Sequence, residues 1–355
     1  MFSAYAKLSD KRYSEVFGLD FEQFEVGQHF VHRPGITISQ QDNTDEALDT
    51  INAAQLHYDA HYAEQTEWDR CLGVSTLTLQ KMIGSSWKTF ARKYRICQFD
   101  SIAMVHPVYG GDTLYCESNI VKTDPLEKES PYGMVVVEAN GFNQDHTLVS
   151  KVEYQVLIFK QGMHPYYSQP QFDYGLSLPK FSAYRTDESG SLIEQAGIDF
   201  EDLEVDETYC HAPNKFVTAH ESHRQALRSL NWDPMHIDPH YCETYFADDK
   251  LIKGCPLPET YLLGAITACT TRTFGKVVAN LGWTNIKLNR HVVPEEHYRV
   301  ESTILSKRIS NSRPTQGIVQ AKTQCFDKEE KLLLSYDRTF LVYKRDLGPY
   351  RAAGY

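Results

Sequence analysis

Residues 55–64 read QLHYDAHYAE, and 179 positions later residues 234–243 read PMHIDPHYCE. The offset puts His57 on His236, Asp59 on Asp238, His61 on His240 and Tyr62 on Tyr241. Upstream, the same offset lays FEVGQHFVHRPGITISQQD, from Phe24, over LEVDETYCHAPNKFVTAHE, from Leu203. Downstream, with small insertions, HPVYGGDTLYCES from His106 meets HVVPEEHYRVES from His291. The closing segments are VSKVEYQVLIFK from Val149 and LLSYDRTFLVYK from Leu333. One domain is therefore present twice, and each copy repeats the same order of elements. The expected division is a first domain over 1–165, a linker over 166–195 and a second domain over 196–355.

Each copy opens on an extended segment, passes through the histidine run and enters an apolar helix. These helices are VSTLTLQKMIGSSWKTFARKY from Val74 and PETYLLGAITACTTRTFGKV from Pro258. Segments such as MVVVEANGF from Met134 and GIVQAKTQCF from Gly317 alternate and are rich in β-branched residues, which predicts strands. One long helix followed by several strands predicts an α+β fold in which an antiparallel sheet wraps a central helix, twice over. Trp87 and Phe90, on the first helix, are expected in that core.

Composition narrows the function classes. The 355 residues are 41% hydrophobic and 23% charged, with a formal charge of −11 that opposes binding to nucleic acid. No stretch reaches the roughly 20 apolar residues of a membrane span, and the amino end lacks the apolar core of a signal peptide. Eight scattered cysteines without a CxxC read as reduced thiols. A cytoplasmic protein is expected, with no nucleic-acid or membrane partner. Sheet edges leave room for a homo-oligomer.

The motifs carry a resemblance. SLNWDPMHIDPHYC (Ser229–Cys242) and the looser INAAQLHYDAHYA (Ile51–Ala63) resemble the run SGDxNPxHxDxxYA of the MaoC-like, R-specific enoyl-CoA hydratases, and VHPVYGGDTL (Val105–Leu114) is similar to their aPVyPGDTL signature. Within that group NAAQLHYDAH, GGDTL, ANGFNQD from Ala139 and LGWTNIKL from Leu281 resemble the mesaconyl-CoA hydratase (β-methylmalyl-CoA dehydratase) branch. The resemblance implies a fused double hotdog that adds water reversibly to an α,β-unsaturated acyl-CoA. It implies no cofactor and no metal, because CoA enters as part of the substrate.

The family's histidine base maps to His57 and His236. Its aspartate partner, five residues earlier, maps to Asn52 and Asn231, neither of which can shuttle a proton. An asparagine can still orient water, so histidine would carry both proton transfers or recruit another acid. His57 sits in the more mesaconyl-like context and is the expected working base. Helix-start N–H groups beside Gly73 and Gly254 are expected to face the developing negative oxygen.

Lys88, Arg92, Lys93, Arg95 and Arg272 are candidates for the phosphates or carboxylate of the substrate. Asp59 and Asp238 are read as helix caps, and His61 and His240 as structural or surface groups. Two further functions compete: a hotdog thioesterase, which needs a carboxylate base on the central helix, and a non-catalytic acyl-CoA-binding protein.

Overall fold

The computed structural model describes residues 2–195, 197–246, 254–350 and 352–354. A hairpin, β1 (Tyr5–Ser9) and β2 (Arg12–Glu15), comes first. The first repeat then runs β3 (His29–Thr37), α1 (Gln40–Asp49), α2 (Ala60–Ala63), α3 (Ser75–Ser85), β4 (Lys93–Met104), β5 (Thr113–Asp124), β6 (Tyr132–Phe142) and β7 (Leu148–Phe159). A second hairpin follows, β8 (Tyr184–Thr186) and β9 (Leu192–Glu194). The second repeat runs β10 (Thr208–Phe216), α4 (Ala219–Arg228), α5 (Pro234–Ile237), α6 (Pro239–Tyr245), α7 (Glu259–Cys269), β11 (Val277–Leu288), β12 (His297–Ile309), β13 (Gln316–Phe326) and β14 (Leu332–Tyr343).

The result is a fused double hotdog. In the first half the order β4-β7-β6-β5-β3 is antiparallel throughout and wraps α3; in the second, β11-β14-β13-β12-β10 faces α7 in the same way. Strands β5 and β6 alternate buried and half-exposed residues, so Ile120, Val135 and Val137 reach Met82 on α3. Leu262 and Ile266 of α7 meet Val300 and Tyr336 in the same manner.

Both central helices stop sooner than their apolar runs suggest. Ser85 and Ser86 hydroxyls bond back to Met82 O and Ile83 O, and Thr270 and Thr271 do the same to Thr267 O and Ala268 O. Hydroxyls that take up carbonyls in this way favour helix ends.

Each sheet holds seven strands and is mixed rather than purely antiparallel, because the two halves exchange their leading hairpins. β2 lies parallel to β10 of the second half, and β9 lies parallel to β3 of the first. Two reciprocal backbone bonds close the crossing, Ala4 N–H to Phe181 O at 2.7 Å and Ala183 N–H to Phe2 O at 2.6 Å. Tyr5 thereby enters the core of the second half, and Tyr184 that of the first. The segment expected as a linker carries β8 and β9, so part of it belongs to the first sheet.

The exchange is held by two buried carboxylates. Glu15, 2% exposed, accepts from Thr273 Oγ1, Ala212 N–H and Arg272 Nε and lies 3.8 Å from His211 Nδ1. Glu194, 4% exposed, accepts from Lys88 Nζ, His32 Nδ1, Thr89 Oγ1 and Arg33 N–H. Burial pushes both carboxyls up, but hydrogen bonds and charge from His211 and Arg272, and from His32 and Lys88, outweigh it and hold them below the usual range. No described helix is long and apolar enough to cross a membrane, and no cysteine is in a disulfide.

Candidate active site

His57 ends a single 3₁₀ turn, Gln55–His57, between α1 and α2. Its Nδ1 lies 2.8 Å from the carbonyl oxygen of Leu72 and serves as the donor. That tautomer leaves Nε2 with a lone pair, the form a general base requires. The ring is half-buried, and no described residue takes Nε2.

The loop is tied to the start of α3 by Asn43, a fully buried amide on α1. Its Nδ2 donates to His57 O at 2.9 Å and to Leu72 O at 3.0 Å, while Oδ1 accepts Val74 N–H at 2.6 Å. Gln40 Nε2 donates to His57 O as well. Asn52 is half-buried, and its Oδ1 accepts Ala54 N–H at 3.0 Å. The Asn52 amide nitrogen is left as the group able to orient a bound molecule.

Gly73 has a packing role that the sequence reading did not anticipate. Its N–H donates to Val108 O at 2.7 Å, and a Cβ built on it would meet that oxygen at 2.7 Å. The N–H is therefore not available to an oxyanion. The first bond onto the helix is Thr78 N–H to Val74 O, so the N–H groups of Ser75, Thr76 and Leu77 have no intrahelical acceptor. A cleft of about 230 Å³ opens at this point, lined by Trp68, Leu72, Gly73, Ser75, Thr78 and, from the end of β4, Met104–Val108. It includes His106, an exposed imidazole that sequence reasoning passed over although the motif around it was read.

The second half departs from this arrangement. His236 Nδ1 bonds Pro256 O at 2.9 Å, but the ring is only 5% exposed and Nε2 faces Glu259 Oε2 at 3.9 Å. Ser222 stands where Asn43 stands in the first half, and its buried hydroxyl finds no partner among the described residues. At the helix start, Leu257 takes the place of Gly73, repeating its bond as Leu257 N–H to Val292 O, and Pro258 takes that of Val74. Glu259 follows as the first helical residue, placing a carboxylate where Ser75 lies in the first half. Gly254 is five residues before α7, in a bend with φ of +85°, and is not the counterpart of Gly73. Asn231 is half-buried and makes the same backbone bond as Asn52, each reaching back to α4 or α1.

Asp59 and Asp238 cap their helices, accepting Tyr62 N–H in one case and His240 and Tyr241 N–H in the other. His61 and His240 are exposed, and no group of three metal-ligating side chains converges among the described residues.

The basic candidates separate. Lys88 and Arg272 are bound to Glu194 and Glu15 at the hairpin exchange, away from the cleft. Arg92 is buried against Asp20 at 2.6 Å. Only Lys93 and Arg95 are exposed, on the edge strand β4. Nine residues of extended chain, about 30 Å, separate Arg95 from Met104 in the cleft. Trp87 is half-buried and packs on Phe17, facing a different cavity rather than the core; Phe90 is in the core, stacked on Phe24.

Comparison with known proteins decides the relationship. The sequence profile described as mesaconyl-CoA hydratase matches residues 3–164 and 185–352. The chain belongs to this family. A mesaconyl-CoA hydratase of Cereibacter sphaeroides is 29% identical over 157 residues, and one of Haloarcula marismortui 27% over 163 residues. The first alignment covers 42% of this chain and 43% of its relative, the second 44% of each, so the chain spans less than half the length of the curated relatives it matches. Among solved structures, a MaoC domain protein of Chloroflexus aurantiacus aligns over 92% of this chain and 98% of its own, at 19% identity and a TM-score of 0.40. A Mycobacterium tuberculosis protein with a double hotdog fold aligns over 92% and 99%, at 16% identity and a TM-score of 0.38.

Proposed function

We propose that this protein is a hydro-lyase that adds water reversibly to the double bond of an α,β-unsaturated acyl-CoA, with a short branched or dicarboxylic acyl group of the mesaconyl type. The observation that carries the reading is the His57 ring, anchored through Nδ1 on Leu72 O and open at Nε2 beside the first turn of α3. Water attacks the β-carbon while Nε2 takes its proton, and the electron pair of the double bond moves onto the thioester oxygen. The N–H groups of Ser75–Leu77, at the positive end of the helix, stabilise that oxygen. The imidazolium then returns its proton to the α-carbon. Asn52 orients water or substrate through its amide nitrogen and transfers no proton.

The working half in this proposal is the first. A carboxylate at the start of α7 opposes a negative oxygen there, and His236 is closed in.

The test is a panel of crotonyl-, mesaconyl- and related enoyl-CoA thioesters with wild type, His57→Ala and His236→Ala. Loss of enoyl absorbance without release of free thiol is the expected outcome. His57→Ala should lower kcat by roughly 10²–10⁴, with His236→Ala close to wild type. Near-normal turnover in His57→Ala would remove it as the base. Thiol release would favour the thioesterase reading, for which Glu259 on α7 is the available carboxylate. Binding with neither reaction would leave an acyl-CoA carrier.

A further inference from the structure

The hairpin exchange forms a partly open cavity of about 600 Å³, within the range of small-molecule sites, that shares no lining residue with the cleft at the start of α3. Equivalent residues of the two repeats face it from either side: Tyr5 and Tyr184, Glu15 and Glu194, Lys88 and Arg272. Between them the wall is apolar, with Phe17, Leu19 and the half-buried Trp87.

The polar groups are not balanced. Each carboxylate is already taken up by several donors, as described above. On one side Lys88 Nζ donates to Glu194 and to Arg33 O. On the other, Arg272 donates through Nε to Glu15, but its Nη2 is buried and has no acceptor among the described residues. A guanidinium is always charged and presents its donors as a planar fork matched to a carboxylate. A buried donor of this kind without a partner calls for an explanation.

We propose that this cavity is a second binding site, for a small organic acid with one carboxylate on an apolar body. The carboxylate would meet the Arg272 guanidinium, whose side chain keeps 33% of its surface accessible, and the body would lie between Trp87, Phe17 and the two tyrosines. Of the two cations, Arg272 is the one with a donor nitrogen that has no acceptor among the described residues, which favours one ligand per chain despite the internal repeat. Because both hairpins line the cavity, an occupant binds the folded, exchanged arrangement and raises its stability by mass action.

The test uses the full chain with 2-naphthoate and its neutral analogue 2-naphthamide, followed by titration calorimetry and by melting temperature. Naphthoate is expected to bind one per chain and raise the melting temperature, with naphthamide weaker by at least roughly tenfold, the scale of a hydrogen bond to a charged group. Arg272→Gln should lose that discrimination. Ala183→Phe, which fills the cavity and leaves the charges in place, should abolish binding while the protein still melts cooperatively. His57→Ala should bind naphthoate as the wild type does. Equal affinity for acid and amide, no binding, or binding undiminished in both Arg272→Gln and Ala183→Phe overturns the proposal. Loss in His57→Ala also overturns it, by placing the ligand in the acyl-CoA cleft.

Discussion

A single buried amide, Asn43, holds the histidine loop and the start of α3 in one arrangement. Asn43→Ala removes its three bonds and strands Val74 N–H in the interior, which costs about 1–3 kcal/mol. Urea unfolding should report that loss, and kcat should fall more than KM changes because His57 is displaced rather than removed. Gly73 is held by close approach to Val108 O. Gly73→Ala forces the two backbones apart, and a destabilisation of about 1–3 kcal/mol is expected; a variant as stable as wild type would contradict that contact. His57 was legible because its spacing is repeated, and the caps at Asp59 and Asp238 because their side chains precede helices. Asn43 and His106 were not. A polar residue in QQDNTDE gives no sign of which carbonyls it will meet, and no spacing links position 43 to Leu72 and Val74.

At the level of elements, the central helices and alternating strands followed from periodicity, whereas the helix ends were set by back-bonding Ser and Thr hydroxyls that the apolar run concealed. The hairpins were missed for a different reason. The tetrapeptide FSAY occurs at Phe2–Tyr5 and again at Phe181–Tyr184, the same 179 positions apart, so the repeat begins before the segments that revealed it. Its pairing with the opposite half is a long-range choice that β1 and β2 do not encode by themselves. Glu194→Gln tests the exchange. It leaves Lys88 with the Arg33 carbonyl and an amide in place of a carboxylate, and breaking such a buried pair costs about 3–5 kcal/mol. The loss should appear in chemical unfolding at neutral pH. A change within error would mean that the hairpin is held by its apolar residues alone.

Across the whole molecule, the two carboxylates tie stability to pH. Both have folded-state pKa values below the ordinary glutamate range. The unfolded chain therefore binds more protons in the acid range, so their contribution is complete above an unfolded value of about 4.3 and is lost as pH falls through the folded values. Unfolding midpoints should drop below about pH 4, and Glu15→Gln or Glu194→Gln should flatten that dependence, since an amide takes up no proton there. An acid slope as steep in both variants as in wild type would locate the effect elsewhere. The sequence by itself determined the duplicated domain, the helix-and-sheet content of each copy and the two histidine loops, because these rest on local periodicity and on a repeat that survives divergence. Only the tertiary structure decided that the leading hairpins cross, that Lys88 and Arg272 pair with Glu194 and Glu15, and that a carboxylate faces His236 but not His57. Each of those depends on residues far apart in the chain, brought together where burial makes an unpaired charge too costly to leave alone.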